Sequence, residues 1–454
     1  MGFSKDFIWG AASASYQTEG GYNEDGKGLS IWDEFTHQPG NVYNNQNGDT
    51  AADAYHRFEE DLDLMHEFGI GNYRFSISWP RVIPEGTGKI NYAGLDYYDR
   101  VIDGCLERGI VPWITLYHWD LPLALYEKGG WLERGTAEAF GEYSRVIAEH
   151  FADRVTNFIT INEPQIAIGL GMITGIHAPG LKLNPEQSFR AWHNILLAHG
   201  ISAQEVRAAV PGCNIGIAST GWLPYIHEHT GKTPADLADA AFFTSGSLEN
   251  SQYFFNHHWF LDPVCKGCYP EDPHHPWYEL SRNIPAEELD LIHQVPDFTG
   301  LNIYNGSRMK LETDGSCRFT DDYPGYPRTS LKWPVTPEVF YWGPRLIYER
   351  YGLPVYITEG GQACNDRIYL DGKVHDADRI DFLHRYLIEL RDASDDDVPV
   401  KGFFHWSLTD NLEWHSGYDD RFGLIYIDYR DLRRIPKDSA YWYQTVIADN
   451  GSSL

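Results

Sequence analysis

Positive charge is scarce in this chain. Its 36 Lys and Arg are outnumbered by 65 Asp and Glu, for a formal net charge of −29. Such a surface repels polyanions, so nucleic acid and anionic membranes are excluded as expected partners. It also weighs against a phosphorylated substrate, unless a local basic pocket overrides the overall field. Cysteine is scarce too, with 6 in 454 residues, which fits a reducing compartment better than a disulfide scaffold. Cys265-Lys266-Gly267-Cys268 is a lone CxxC without a second ligand pair at matching spacing, so a zinc or redox site is a minority reading. No apolar run reaches membrane-spanning length, and the first six residues lead into no signal-like apolar core. The expectation is a soluble, cytoplasmic protein.

Several catalytic signatures are missing as well. There is no HExxH and no GxSxG elbow. The stretch from Gly21 to Gly28 nearly spells a phosphate loop, but Gly28 stands where a Ser or Thr would hold magnesium. His257-His258 and His274-His275 are adjacent pairs in segments read as loops, with surface or loop roles expected.

What the chain does have is a repeated alternation. Apolar, β-rich runs recur at Phe7–Tyr16, Asn72–Trp79, Val111–Trp119, Val155–Glu163, Asn214–Trp222, Asp297–Tyr304, Pro354–Glu359 and Val400–Leu408. Helical patterns separate most of them. After Asp49 as a cap, Tyr55, Phe58, Leu62 and Met65 share one helix face, with Glu59, Glu60, Asp61 and Asp63 expected in water. Ala137–Phe151 and Gln187–Val210 read similarly. A length prior alone suggests about three domains, but α/β barrels run long as one unit. Eight strands alternating with helices predict an α/β protein, a (β/α)8 barrel spanning residues 1–454 as one domain. Leu223–Pro296 and Asn305–Arg345, rich in Pro, Gly and aromatics, are expected to be elaborated βα loops.

Two of these runs end alike. Thr160-Ile161-Asn162-Glu163-Pro164 closes a buried strand with a carboxylate and a breaker, and Ile357-Thr358-Glu359-Gly360-Gly361 repeats that grammar. A charge at the end of a buried strand is costly unless it is hydrogen-bonded or used. One such Glu could be a paired structural residue. Two of them supply what glycoside hydrolysis requires, an acid/base and a nucleophile. The other strand ends carry Gln17, Arg74, His118-Trp119-Asp120, Asn302, Tyr304 and Trp406-Ser407. Singly, each could be a satisfied core His, a packing Trp or a buried ion pair. Together they gather polar groups where barrel enzymes build their sites.

Phe7–Gly20, Tyr73–Arg81, Leu116–Leu125, Thr160–Pro164, Ile357–Gly361 and His405–Gly423 resemble the family 1 glycoside hydrolases, in particular bacterial β-glucosidases. The resemblance covers almost the whole chain in order. It implies a retaining mechanism without metal or organic cofactor, on a small-molecule β-glycoside and water, and leaves homo-oligomer formation open. By motif, Glu163 would be the acid/base and Glu359 the nucleophile. Gln17, His118, Asn162 and Glu413 would bind sugar hydroxyls, and Trp406 and Trp414 would form the aromatic wall, with Trp119 and Phe422 also in the substrate site. Arg74 and Tyr304 would hold Glu359 ionised, Asn302 would support the acid/base side, and Trp333 would line the outer subsite. A cis peptide is implied at Trp406-Ser407. Two residues depart from the family pattern: Gly360 stands where Asn is usual, and Leu123 where Gln is common. The implied activity is that of a β-glucosidase. A 6-phospho-β-glycosidase is the alternative within enzymes, and a catalytically silent sugar-binding protein the alternative outside them.

Overall fold

In the computed structural model, residues 2–243 and 252–454 are described. Eight parallel strands close into a barrel: β1 (Ile8–Ala12), β2 (Asn72–Ser76), β3 (Val111–Tyr117), β4 (Asn157–Asn162), β5 (Asn214–Ser219), β7 (Phe298–Asn302), β10 (Val355–Gly360) and β11 (Val400–Trp406). The remaining strands lie outside it. β6 (Pro224–Tyr225), β8 (Ser307–Leu311) and β9 (Cys317–Phe319) form a small sheet, and β12 (Ile425–Asp428) pairs with β13 (Arg433–Pro436) as an antiparallel hairpin. Seven of the eight expected runs contain an observed strand, shortened mostly at its carboxyl end, while β10 runs one residue past its expected end to Gly360.

The barrel interior is plugged with rings. Trp113 of β3 packs against Phe298, Tyr356 and Phe404, with ring centroids 5.7, 5.2 and 5.2 Å away. Two glycines make room for them: a Cβ on Gly216 would meet the Phe298 ring at 2.1 Å, and one on Gly10 the Phe404 ring at 2.4 Å. The plug closes the bore beneath the strand ends, so the site must lie above it.

The two carboxylate strands share an irregularity. From Ile159 to Asn162, β4 advances three residues while β5 advances two, from Gly216 to Ala218. From Ile357 to Gly360, β10 advances three while β11 advances two, from Phe403 to His405. One extra residue shifts the alternation, because side chains change face at every step. Ile159 therefore joins the interior cluster while Ile161 joins the outer one. A regular strand would place both on one face.

Several expectations are corrected here. The third helix begins at Ala54 with Asp53 at its N-cap position, so Asp49 does not cap it. Asp61 does not face water. Arg434 from the C-terminal hairpin reaches it with two bonds of 2.9 and 3.2 Å, both side chains nearly fully buried. The long segments are elaborations of the barrel as expected, carrying β6, β8, β9 and helices such as His258–Lys266 and Ala286–Ile292. Residues 244–251 of the first segment lie outside the described residues. His257, His258 and His275 are buried rather than superficial; burial lowers the pKa of His257 and His275 to about 3. No described helix is long and apolar enough to cross a membrane.

The Asp61–Arg434 pair fastens the two ends of the chain together. Arg434→Met leaves a buried carboxylate without its partner, a change that costs about 3–5 kcal/mol. Urea denaturation should show this loss, and Asp61→Asn should recover part of it in the double variant. An unchanged midpoint in Arg434→Met would mean the pair contributes nothing.

Candidate active site

Arg74 is the centre of the site's hydrogen bonding. It leaves β2 almost fully buried, and its guanidinium meets groups on three other barrel strands, β3, β4 and β10. Its Nε donates to Thr115 Oγ1 at 3.1 Å, Nη1 to Glu359 Oε1 at 2.6 Å and to the Thr358 carbonyl at 3.0 Å, and Nη2 to Asn162 Oδ1 at 2.6 Å. Tyr304 donates its hydroxyl to Glu359 Oε2 at 2.8 Å, so both oxygens of this carboxylate are held. Glu163 has no cation against it. Its Oε1 accepts from Asn302 Nδ2 at 2.6 Å, and Asn302 is fixed in turn by the Thr358 hydroxyl, 2.7 Å from its Oδ1.

Burial raises the pKa of both carboxyls, because it disfavours the charged form. Glu163 is pushed well above the ordinary range, by burial first and then by the negative charge of Glu359. For Glu359 burial also dominates and the net direction is upward, while Arg74, Tyr304 and Asn302 pull it back. Arg74 thus acts on Glu359 in the expected direction, downward, but burial outweighs it. What the geometry secures is the order, with Glu163 the more readily protonated of the two. Glu413 is raised to about 8, by burial above all. His118 is held neutral, by burial and then by Arg74.

Aromatic rings enclose the carboxylates from two sides. The His118 ring stacks 5.8 Å from Trp406 and 6.0 Å from Trp414, and Trp119 lies 4.5 Å from Trp414. Opposite, Tyr304 lies 5.4 Å from Trp333 and 5.8 Å from Phe422. The cavity between them, about 140 Å³, is lined by these seven rings with Glu163, Glu359 and Glu413. The Trp406-Ser407 peptide is cis. Trp119, Glu163 and Trp414 all have positive φ, at 78°, 43° and 50°. Non-glycine residues hold such angles at a cost of order 1–3 kcal/mol, and they concentrate at functional sites.

Not every expected residue lines the cavity. Gln17 is fully buried, with Nε2 donating to Asn411 Oδ1 at 3.2 Å and the Leu412 carbonyl at 3.0 Å. Asn162 is likewise fully buried, its Oδ1 shared by Arg74 and Asn302 and its Nδ2 donating to His118 Nε2 at 3.2 Å. Asn302 faces an adjoining cavity that shares Glu163, Tyr304 and Trp333 with the first. Conversely, Ile166, Leu170, His177, Leu331, His415 and Ser416 line the main cavity without having been foreseen. His415 and Ser416 directly follow Trp414 and could have been read from that loop. Leu331 and His177 sit in loops whose sequence carries no signal of where they fold. Among the described residues, no group of three or more His, Cys, Asp or Glu side chains is placed to hold a metal ion.

The sequence profile of glycosyl hydrolase family 1 matches residues 1–452. The chain belongs to this family. It is 43% identical to beta-glucosidase A of Thermotoga maritima, over 99% of this chain and 98% of that one. It is also 43% identical to beta-glucosidase A of Acetivibrio thermocellus, over 99% of each. Among solved structures, the Thermotoga maritima beta-glucosidase in complex with glucoimidazole superposes with a TM-score of 0.88 at 42% identity, covering 99% of both chains.

For this glycosyl hydrolase the Gly360 departure has a packing reason. A Cβ there would meet the Phe340 ring at 2.8 Å and the Phe403 ring at 3.1 Å. Rings outside the barrel press on the backbone next to Glu359, where a larger side chain would collide. Leu123 opens a short helix, Leu123–Tyr126, and is not part of the cavity wall.

Proposed function

We propose that this family 1 hydrolase is an exo-acting, retaining β-glucosidase. It releases terminal non-reducing β-D-glucosyl residues from cello-oligosaccharides and from aryl and alkyl β-glucosides. The observation that carries this reading is the unlike setting of two neighbouring carboxylates. Glu359 is clasped by Arg74 and Tyr304, whereas Glu163 meets only the Asn302 amide and a raised proton affinity.

In the first step a Glu359 oxygen attacks the anomeric carbon. The bond to the leaving oxygen breaks, and Glu163 gives that oxygen its proton. Glycosylation removes the negative charge of Glu359, and with it one of the causes that raise Glu163. Glu163 then ionises and takes a proton from water as the water attacks the same carbon from the other face. Two inversions leave the β anomer. Neither step calls for a metal or an organic cofactor.

The sugar's hydroxyls would be held by Gln17, His118, Asn162 and Glu413 against the rings of Trp119, Trp406, Trp414 and Phe422. In support, Gln17 Oε1, His118 Nδ1 and Glu413 Oε2 are buried without a partner, and unpaired buried polar atoms are costly until something satisfies them. Trp333 with Tyr304 would bound the leaving-group side. We read residues 1–454 as one catalytic domain acting in the cytoplasm, where so few cysteines fit the reducing conditions.

A 6-phospho substrate is less favoured, since none of the described residues lining the cavity is Lys or Arg. Hydrolysis of nitrophenyl β-glucoside, followed by proton NMR, tests the reading. β-Glucose should appear first and mutarotate later. α-Glucose first would establish inversion, and no hydrolysis at all would leave a sugar-binding protein.

A further inference from the structure

A cluster of six charges, five with buried side chains and Arg421 partly exposed, lies beside the pocket and takes no part in the chemistry above. Lys437, fully buried, donates to Asp366 Oδ2 at 2.6 Å and Asp410 Oδ1 at 2.7 Å. Asp366 also accepts from Arg379 Nη2 at 2.7 Å, and Asp410 Oδ2 from Arg421 Nη1 at 2.6 Å. Arg379 pairs in addition with Asp376. Three cations face three anions, so the cluster is neutral as a whole.

Its two inner carboxylates sit on two different loops of the site. Asp366 follows Glu359 on the loop after β10, and Arg379 Nε donates to the Gln362 carbonyl of that loop at 3.3 Å. Asp410 opens the loop after β11 that carries Glu413 and Trp414. Its neighbours Asn411 and Leu412 are the groups that hold Gln17. Lys437 belongs to neither loop. It stands just before the C-terminal helix Asp438–Ala448, and its backbone N–H is tied to the Leu424 carbonyl at 3.0 Å.

We propose that Lys437 is a positioning residue for the sugar pocket, clamping the loop that follows Glu359 to the loop that bears Glu413 and Trp414. Buried ion pairs are often no more stabilising than apolar packing of the same volume, and fixing one arrangement is a role they can serve instead. Here one ammonium sets the distance between the loop after the reacting carboxylate and the loop that reads the sugar. A displacement of about 1 Å at such a place can cost about 100-fold in rate. This inference rests on the β-glucosidase reading, in which Glu413 accepts from the hydroxymethyl group of glucose.

The test uses the full chain with Lys437→Met, assayed on nitrophenyl β-glucoside and on nitrophenyl β-xyloside, which lacks the hydroxymethyl group. The glucoside should lose about 10- to 100-fold in kcat/KM, chiefly through KM. The xyloside should lose far less, so the ratio of the two collapses. Combining Lys437→Met with Glu413→Gln should be no worse on glucoside than Glu413→Gln alone. Equal losses on both substrates, or losses that multiply in the double variant, would reduce Lys437 to a structural residue. Asp366→Asn keeps the Lys437–Asp410 bond and loosens only the other loop. It provides the same comparison if Lys437→Met does not fold, and an unchanged ratio there would overturn the proposal. A wild-type enzyme inert on the glucoside would instead sink the underlying β-glucosidase reading.

Discussion

Glu359→Gly should be inert toward nitrophenyl β-glucoside, with a loss of at least about 10⁴-fold in kcat, and should regain turnover in azide or formate. Removing a covalent nucleophile takes away the whole double displacement rather than one of its aids. Glycine leaves a space beside Arg74 and Tyr304, which hold the two Glu359 oxygens at 2.6 and 2.8 Å. A small anion placed there meets the same guanidinium and hydroxyl. It attacks the face that Glu359 attacked, with no second displacement to follow, so the azide product is the α-glycosyl azide. Glu163→Ala should behave differently. Its loss of about 10²–10⁴-fold, the range of general acid–base catalysis, should appear with poor leaving groups and nearly vanish in the glycosylation of dinitrophenyl glucoside. Azide rescue there should give the β product. If the two products come out exchanged, the roles of Glu163 and Glu359 are reversed.

Glu413→Gln should give a more stable and much less active enzyme. Burial raises Glu413 from 4.5 to about 8. A raised carboxyl contributes its stability below the unfolded value and loses it as pH rises through the folded one. Wild type should therefore fall behind Glu413→Gln progressively between pH 4.5 and about 8. At 1.36 kcal/mol per pKa unit the gap reaches at most about 5 kcal/mol above pH 8, reduced by whatever relaxation ionisation brings. Thermal unfolding at pH 5 and pH 9 measures it, and equal differences at the two would show that Glu413 is solvated. Activity should move the other way. Sugar hydroxyls donating to Glu413 favour its ionised form, and such a bond to the carboxylate is worth about 1.5–3 kcal/mol, so the variant should lose about 10- to 100-fold in kcat/KM on glucoside. The same position argues against a phosphate. A dianion near Glu413 would find no Lys or Arg on the described cavity wall and would have to keep Glu413 protonated. The 6-phospho-β-glucoside should be poorer than the glucoside by at least about 100-fold, which is roughly 2.7 kcal/mol. If it proves the better substrate, the enzyme is a phospho-glycosidase. If fucoside and glucoside are close, Glu413 reads the 6-position less than this.

Much of the site was legible because its signals are local. A β-branched run ending in Asn-Glu-Pro, and another ending in Thr-Glu-Gly-Gly, put a carboxylate where no core wants one. The residues brought against them, Arg74, Asn302 and Tyr304, stand at the ends of other strands, and barrel closure gathers strand ends whatever their separation in sequence. Gln17 and Asn162, expected to bind sugar hydroxyls, are fully buried and are not among the residues lining the cavity. Nothing in their own segments distinguishes a group that faces a cavity from one that stands just beneath it.

By itself the sequence determined the eight-fold alternation of strand and helix, the barrel that follows from it, and the two strand-end carboxylates. Periodicity and breakers act over a few residues, so they survive without knowledge of partners. The tertiary structure alone decided which charges are buried and what they face. Asp61 shares its helix with solvated acids but lies against Arg434 from the far end of the chain. Lys437 bridges two loops that no local pattern relates. Glu359 reads in sequence as a carboxylate lowered by Arg74, and in the fold burial outweighs that cation. Desolvation and pairing are set by everything within a few ångströms, and only closure of the barrel brings those neighbours together.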